Sequence, residues 1–313
     1  MISNARSPMA SGGPSVTLAA LRAMGPEALL YPPACSVISG ARSHLNVPFA
    51  LIAGYRILRL DLHLPEPAGP HPVVVYASGG AFKFSLKHHG PWKFLPAAGY
   101  AVASIEYRVS GEARYPAALA DVKAAIRWVR ANAQTYGLDP RRVAGWGSSA
   151  GGHLMAMAGL TNDRPDFEGD VGEELAHSSR LAGVIDHYGP SDFLALAEDT
   201  NHIPGVVELA GGPNSPEALF LGFAPQDRPK LAAAASPISY VSAAAPPFLI
   251  VHGDGDTRVG VGQSRRFYEA LRAAGADVSM EIVPGANHAG PEFDAEKVHE
   301  LTLEFLRRTF AKA

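Results

Sequence analysis

Residues 141–160 read "RRVAGWGSSAGGHLMAMAGL". The opening "RRVAGW" has the apolar run of a buried strand, and "AGGHLMAMAGL" begins as a helix of small residues. Between them stands Gly147-Ser148-Ser149-Ala150-Gly151. A strand, a sharp turn and a helix lift a serine hydroxyl above the end of a sheet. The serine in such a turn has strained backbone, so the residues two before and two after it must lack side chains. Ser149 has Gly147 and Gly151 at those places, whereas Ser148 would have Trp146 and Ala150. The spacing selects Ser149 as a nucleophile and leaves Ser148 as its neighbour.

Such a turn needs a sheet around it. "PVVVYA" (72–77), "YAVASIEY" (100–107), "LAGVIDHYG" (181–189), "PFLIVHG" (247–253) and "DVSMEIVPG" (277–285) are mostly continuous apolar runs. Runs of this kind suit parallel strands covered on both faces. "LRLDLHL" (58–64) instead alternates strictly, which predicts an antiparallel strand with its leucines inward and Arg59, Asp61 and His63 toward solvent. Over 117–135, Leu119, Val122, Ile126, Val129 and Ala133 mark one helix face, with Pro116 at its start and Gly137 at its end. Residues 262–275 and 294–310 are also amphipathic.

This order predicts an α/β fold: a mostly parallel twisted sheet with an antiparallel N-terminal edge and helices on both faces. It spans residues 49–313. Residues 190–245, rich in Pro, Gly and Ala, interrupt the rhythm as a small lid or insertion. Residues 1–48 read as an N-terminal extension, either a tail or a cap helix around 15–24.

Composition narrows the function. Of 313 residues, 47% are apolar and 18% charged, enough for a sizeable core. The net charge is −3 with no basic block, which argues against a nucleic-acid partner. The longest apolar run near the N-terminus, Leu18 to Leu21, is cut by Arg22. Neither a signal peptide nor a membrane span is evident, so a cytoplasmic protein is expected. The single cysteine, Cys35, allows no internal disulfide and no cysteine metal cluster.

A serine hydroxyl needs a positioned base. In a fold of this order the acid and then the histidine follow the serine. "LIVHGDGDTRV" (249–259) leaves a strand and offers Asp254 and Asp256. "IVPGANHAG" (282–290) leaves the next strand, and its only histidine is His288. Attack on an ester creates an oxyanion, which backbone N–H groups must already face. Ala150, following the nucleophile, supplies one N–H. Gly79 and Gly80, in the glycine turn after "VVVYA", supply others, because no Cβ blocks approach to them.

Together these residues resemble the α/β-hydrolase family. The resemblance is strongest to short-chain esterases grouped with the bifunctional feruloyl and acetyl xylan esterases, near the hormone-sensitive-lipase-like enzymes. It covers roughly residues 50–310. It rests on "SGGAF", "YRVSGEARYPAALADVKAAIRWVRANAQTYGLDPRRV", "GWGSSAGGHL", "HYGPSDF", "ASPISYV", "PPFLIVHGDGDTRV" and "VPGANHAG". The resemblance implies Ser149 as nucleophile, His288 as general base, and Gly79, Gly80 and Ala150 as oxyanion donors. It also implies Asp256 over Asp254, because the His-Gly-x-x-Asp pattern begins at His252. The chain departs from the family at one place. Where His-Gly-Gly-Gly is common, it reads Ser78-Gly79-Gly80-Ala81. The backbone donors are kept, and a serine hydroxyl replaces the imidazole that braces the loop.

The expected activity is hydrolysis of short acyl esters, acetyl-type or small aryl, through an acyl-enzyme on Ser149, with no metal or organic cofactor. The expected partner is a small-molecule ester, and homo-oligomers stay open. Ser78, Phe82, Phe84, Trp92 and Phe193 are the candidates for substrate contact, with Phe220 and Phe223 as further pocket or lid aromatics. The alternatives are a formamidase-like amidase or peptidase on the same residues, a ligand-binding protein of altered catalysis, and a scaffold role for residues 1–48.

Overall fold

The computed structural model describes residues 32–200 and 210–313. Strands form where the apolar runs predict them. Eight make one sheet: β1 (Ala41–Ile52), β2 (Arg56–Pro65), β3 (His71–Ala77), β4 (Ala101–Ile105), β5 (Leu138–Ser148), β6 (Val184–His187), β7 (Phe248–Gly253) and β8 (Val278–Val283). Their order is β1-β2-β4-β3-β5-β6-β7-β8. β2 runs antiparallel to β1 and β4, and the pairs from β4–β3 through to β7–β8 are parallel. This is the sheet of an α/β-hydrolase fold.

The main helices are α1 (Ala117–Ala131), α2 (Ala150–Leu160), α3 (Pro216–Leu221), α4 (Gly262–Ala273) and α5 (Glu296–Phe310). Alternate strand residues feed two cores. Val73, Val75 and Ala77 pack with α1, α2 and α4, while Val74 and Tyr76 pack with Trp92 and with Phe305, Leu306 and Phe310 of α5. Both faces are therefore covered. Among the described residues, no helix is long and apolar enough to cross a membrane.

Several expectations need correction. β1 was not legible, and eight of its twelve residues, 41–48, lie in the segment set apart as 1–48. Residues 41–48 belong to the sheet, paired with the end of β2. The cap helix expected near 15–24 lies outside the described residues. With β1 at the edge, β2 is an interior strand, and its polar face is covered by the segment after β3, which lays Lys87 on Asp61 and Trp92 on His63. His63 is buried, bonded to Ser43 Oγ at 2.8 Å and packed on Trp92 at 4.7 Å between ring centroids. Asp61 accepts the Asn46 amide at 2.7 Å. β8, expected to be covered on both faces, is half-buried along its whole length because it has only one neighbour.

Helix α1 also buries more than its apolar stripe. Lys123 and Arg127, along one flank of that stripe, are buried and both pair with Glu168, at 2.8 and 2.9 Å. Buried cations stay charged only when paired in this way. The pairs clamp the segment after α2 onto α1. The helix ends at Asn132, and a further turn, Ala133–Tyr136, closes on Gly137 in the left-handed conformation.

The predicted interruption at 190–245 falls in the connection between β6 and β7, which carries α3 and further short helical turns. The register then sets the working edge of the sheet. Gly147 lies beside Ala77 of β3 and Asp186 of β6, and Gly253 lies beside Val283. The loops after β3, β5, β7 and β8 thus leave the same C-terminal edge, where open α/β sheets hold their ligands.

Candidate active site

The turn at the end of β5 has the geometry that its glycines predict. Ser149 has φ 54° and ψ −121°, the strained conformation of a nucleophile at a strand-to-helix turn. A Cβ on Gly147 would stand 2.1 Å from the carbonyl oxygen of Gly151, and one on Gly151 would stand 2.0 Å from that of Ala77. Neither position admits a side chain. The Ser149 N–H donates to the His187 carbonyl of β6 at 2.8 Å, and the His153 N–H begins α2 by donating to the Ser149 carbonyl at 3.0 Å. Ser148 also lines the cavity, but its Oγ accepts the Tyr76 hydroxyl at 3.1 Å.

Ser149 Oγ lies 2.9 Å from His288 Nε2, and His288 Nδ1 lies 2.6 Å from Asp256 Oδ2. A carboxylate only accepts, so Nδ1 carries the proton and Nε2 is free to receive the serine O–H. Asp256 is fully buried. Its Oδ1 accepts the N–H groups of Arg258 at 2.8 Å and Val259 at 2.9 Å. Burial alone would push this carboxyl up. Bonds from His252, His288 and the backbone outweigh it and hold Asp256 well below the usual carboxylate range. The acid is therefore a fixed anion behind the histidine. Asp254, the other candidate, turns away and accepts the Gly285 N–H at 2.6 Å.

Two supporting residues were missed by the sequence reading. Asn287 Oδ1 accepts Thr257 N at 3.2 Å and its own neighbour His288 N at 2.7 Å, which ties the aspartate loop to the histidine loop. Tyr188 lays its ring against His288 at 4.8 Å and 62°. Neither stands out in sequence, because both act through positions that only the fold brings together.

Gly79, Gly80 and Ala150 line one cavity with Ser149 and His288. Among the described residues, their N–H groups have no hydrogen-bond acceptor. Gly80 has φ +148°, and a Cβ there would meet the Phe84 carbonyl oxygen at 2.5 Å. Ala81 and Phe82 follow with φ 54° and 58°, left-handed values that disfavour side chains. The loop holds this shape because it is pinned from several sides. Ser78 Oγ accepts the Leu86 N–H at 2.8 Å, the Tyr107 hydroxyl donates to the Ser78 carbonyl at 2.8 Å, and Ser110 N donates to the Phe82 carbonyl at 2.7 Å.

The cavity holds about 830 Å3. Phe82, Phe84 and Phe193 line it, as does Ser78, although the Ser78 hydroxyl is committed to the loop. Trp92 does not: it is fully buried on the opposite face of the sheet, between His63 and Tyr76. Its indole was drawn into the core because the segment after the glycine loop folds back over β2 and β3. Phe220 is likewise a core residue, stacked under Phe82 at 4.0 Å, and Phe223 packs against the core rather than the cavity. Glu217 of α3 and Arg258 bring charge to the walls.

The comparisons with known proteins agree with this architecture. The chain is similar to esterase LipC of Mycobacterium tuberculosis, 35% identical over 226 residues, 71% of this chain and 54% of that protein. Among solved structures, it is similar to a truncated carbohydrate esterase from gut microbiota, with a TM-score of 0.76 and 31% identity over 88% of this chain and 99% of that one. Esterase Est2 of Thermogutta terrifontis, solved with propionate bound, gives a TM-score of 0.64 and 26% identity over 87% and 96% of the two chains. The chain spans about half the length of the curated relatives it matches. The BD-FAE family model matches residues 60–271, from the middle of β2 to the end of α4 with the serine turn inside. By that match, this chain belongs to the BD-FAE family.

Proposed function

We propose that the chain is a serine carboxylic-ester hydrolase that cleaves short acyl esters through an acyl-enzyme on Ser149. The observation that carries this is the continuous chain of contacts from Ser149 Oγ through His288 to the buried Asp256 carboxylate. In this reading His288 Nε2 takes the Ser149 proton as Oγ attacks the acyl carbonyl. The N–H groups of Gly79, Gly80 and Ala150 receive the oxyanion. Asp256 keeps its charge and stabilises the imidazolium. His288 then passes the proton to the departing alcohol, and a water molecule repeats the steps to free the acid.

The names of the similar proteins, esterases throughout those cited above, support ester hydrolysis. Est2 solved with propionate and with butyrate supports a short acyl group. The buried rings of Phe82 and Phe193 support it too, as they close one side of the cavity. The connection between β6 and β7 acts as the lid, since Phe193, Leu196 and Glu217 come from it. A series of p-nitrophenyl esters of increasing acyl length tests the reading, run on the wild type beside Ser149→Ala. Turnover falling steeply beyond about butyrate, and lost in the variant, is expected. A rate that climbs with chain length contradicts the short-acyl assignment.

A further inference from the structure

Asp256 Oδ2, the oxygen that holds His288, has a second imidazole beside it. His252, at the end of β7, is fully buried, and its Nε2 stands 3.2 Å from Asp256 Oδ2 and 2.8 Å from the Val259 carbonyl oxygen. Both neighbours only accept, so Nε2 carries a proton and shares it between them. The other nitrogen, Nδ1, lies 2.6 Å from Ser264 Oγ on α4. One ring therefore joins a strand end, the aspartate loop and the following helix.

We propose that His252 is a positioning residue for the Asp256–His288 pair: it orients the carboxylate and takes up part of its charge, and so sets how strongly Asp256 supports a proton on His288. The inference rests on the reading of Ser149, His288 and Asp256 as the catalytic set. A carboxylate oxygen with two donors pulls less on each. Without His252, Oδ2 has one imidazole left and holds the imidazolium of His288 more tightly. His288 then loses its proton at higher pH, and the acid limb of kcat/KM moves upward.

Other titratable groups face the ring, and the test must separate them. Asp186 and His187 come from β6, and Tyr188 follows them with its ring 6.3 Å from that of His252. Helix α4 presents the uncharged Ser264. Burial pushes the Asp186 carboxyl up to about 6, within reach of the acid limb. The pH profiles are therefore repeated in an Asp186→Asn background.

The experiment compares His252→Gln with His252→Asn in the full chain, using p-nitrophenyl acetate across about pH 5 to 9. Glutamine places an N–H near the position of Nε2, facing Asp256. Asparagine places one near Nδ1, facing Ser264 only. Both variants stay polar in a buried site, and thermal melts confirm that each is folded. We expect His252→Asn to lower kcat about 10–100-fold with KM changed less than about threefold, and to raise the acid limb by about half a pH unit or more. His252→Gln restores most of kcat and returns the limb toward wild type. Equal losses in the two variants with an unmoved limb overturn the proposal and leave His252 as packing. Wild-type behaviour of His252→Asn overturns it as well. Undiminished turnover in Ser149→Ala marks a different failure, that of the catalytic reading beneath it.

Discussion

The hydroxyl of Ser78 accepts the Leu86 amide at 2.8 Å, and this bond closes the loop that carries Gly79 and Gly80. A serine thus braces the loop at the position where the resemblance leads one to expect a histidine. Ser78→Ala leaves a partly buried N–H unpaired, at a cost of about 1–3 kcal/mol. Because Tyr107 and Ser110 also hold the loop, we expect kcat/KM to fall about tenfold, not to vanish. Ser78→His is expected to change rate or selectivity without abolishing turnover. Steady-state kinetics on one acetyl ester checks both, and complete loss in Ser78→Ala would make the hydroxyl a direct participant.

Phe84 is 60% exposed and lines the cavity, so the proposed function places it against substrate with little part in the core. Phe84→Ser should leave stability within about 0.5 kcal/mol of wild type. It should raise KM for aryl esters several-fold more than for alkyl esters. Denaturant melts and a matched aryl and alkyl pair measure the two effects.

Trp92 makes the opposite case. Its ring is wholly buried against His63 and Tyr76. Trp92→Ala should cost about 3–5 kcal/mol, the usual range for deleting a large buried aromatic. In the fraction that remains folded, KM for short esters should stay at the wild-type value. A changed substrate preference with intact stability would return Trp92 to the binding site.

Asp186 gives a pH dependence of stability. Burial raises its carboxyl to about 6, above the unfolded value near 3.9, so the folded protein keeps a proton that the unfolded chain releases. Stability from this residue is fully present below about pH 4 and is lost as pH rises through about 6. The loss is on the order of 2–3 kcal/mol. Asparagine carries no charge and can still accept the Gly189 N–H that Asp186 Oδ1 accepts at 3.0 Å. Asp186→Asn should therefore gain stability over wild type between about pH 4 and 6.5, with a constant difference above that. Urea melts at several pH values check the sign, and a gap that narrows with rising pH contradicts it.

Much of this arrangement was legible in the chain. The glycines around Ser149 selected one serine of two, and the steric contacts of Gly147 and Gly151 give the physical reason. The apolar runs located the parallel strands because strands covered on both faces carry no alternation to misread. β1 escaped because register shifts between His44 and Val47 and between Pro48 and Ala50 break its period, and Asn46 and Pro48 read as loop. The path of residues 86–92 over β2 was equally hidden, and it misplaced the solvent. Strict alternation makes the polar face of β2 look exposed, whereas Asp61 and His63 lie beneath Lys87 and Trp92. Trp92 was misread for a related reason, since an aromatic near a glycine loop serves core and pocket equally well until the path of the chain is known. The second histidine at Asp256 stood in plain view as the start of a motif, but only its 3.2 Å approach to the carboxylate gives it a role.

The central claim is that Ser149, and not Ser148, is the nucleophile. Treatment of the folded wild type, Ser149→Ala and Ser148→Ala with a fluorophosphonate, followed by intact mass and peptide mapping, tests it most directly. The account predicts one adduct, on Ser149, in wild type and Ser148→Ala, with loss of ester turnover in step with labelling, and no adduct in Ser149→Ala. An adduct on Ser148, or ester turnover that survives in Ser149→Ala, would contradict it.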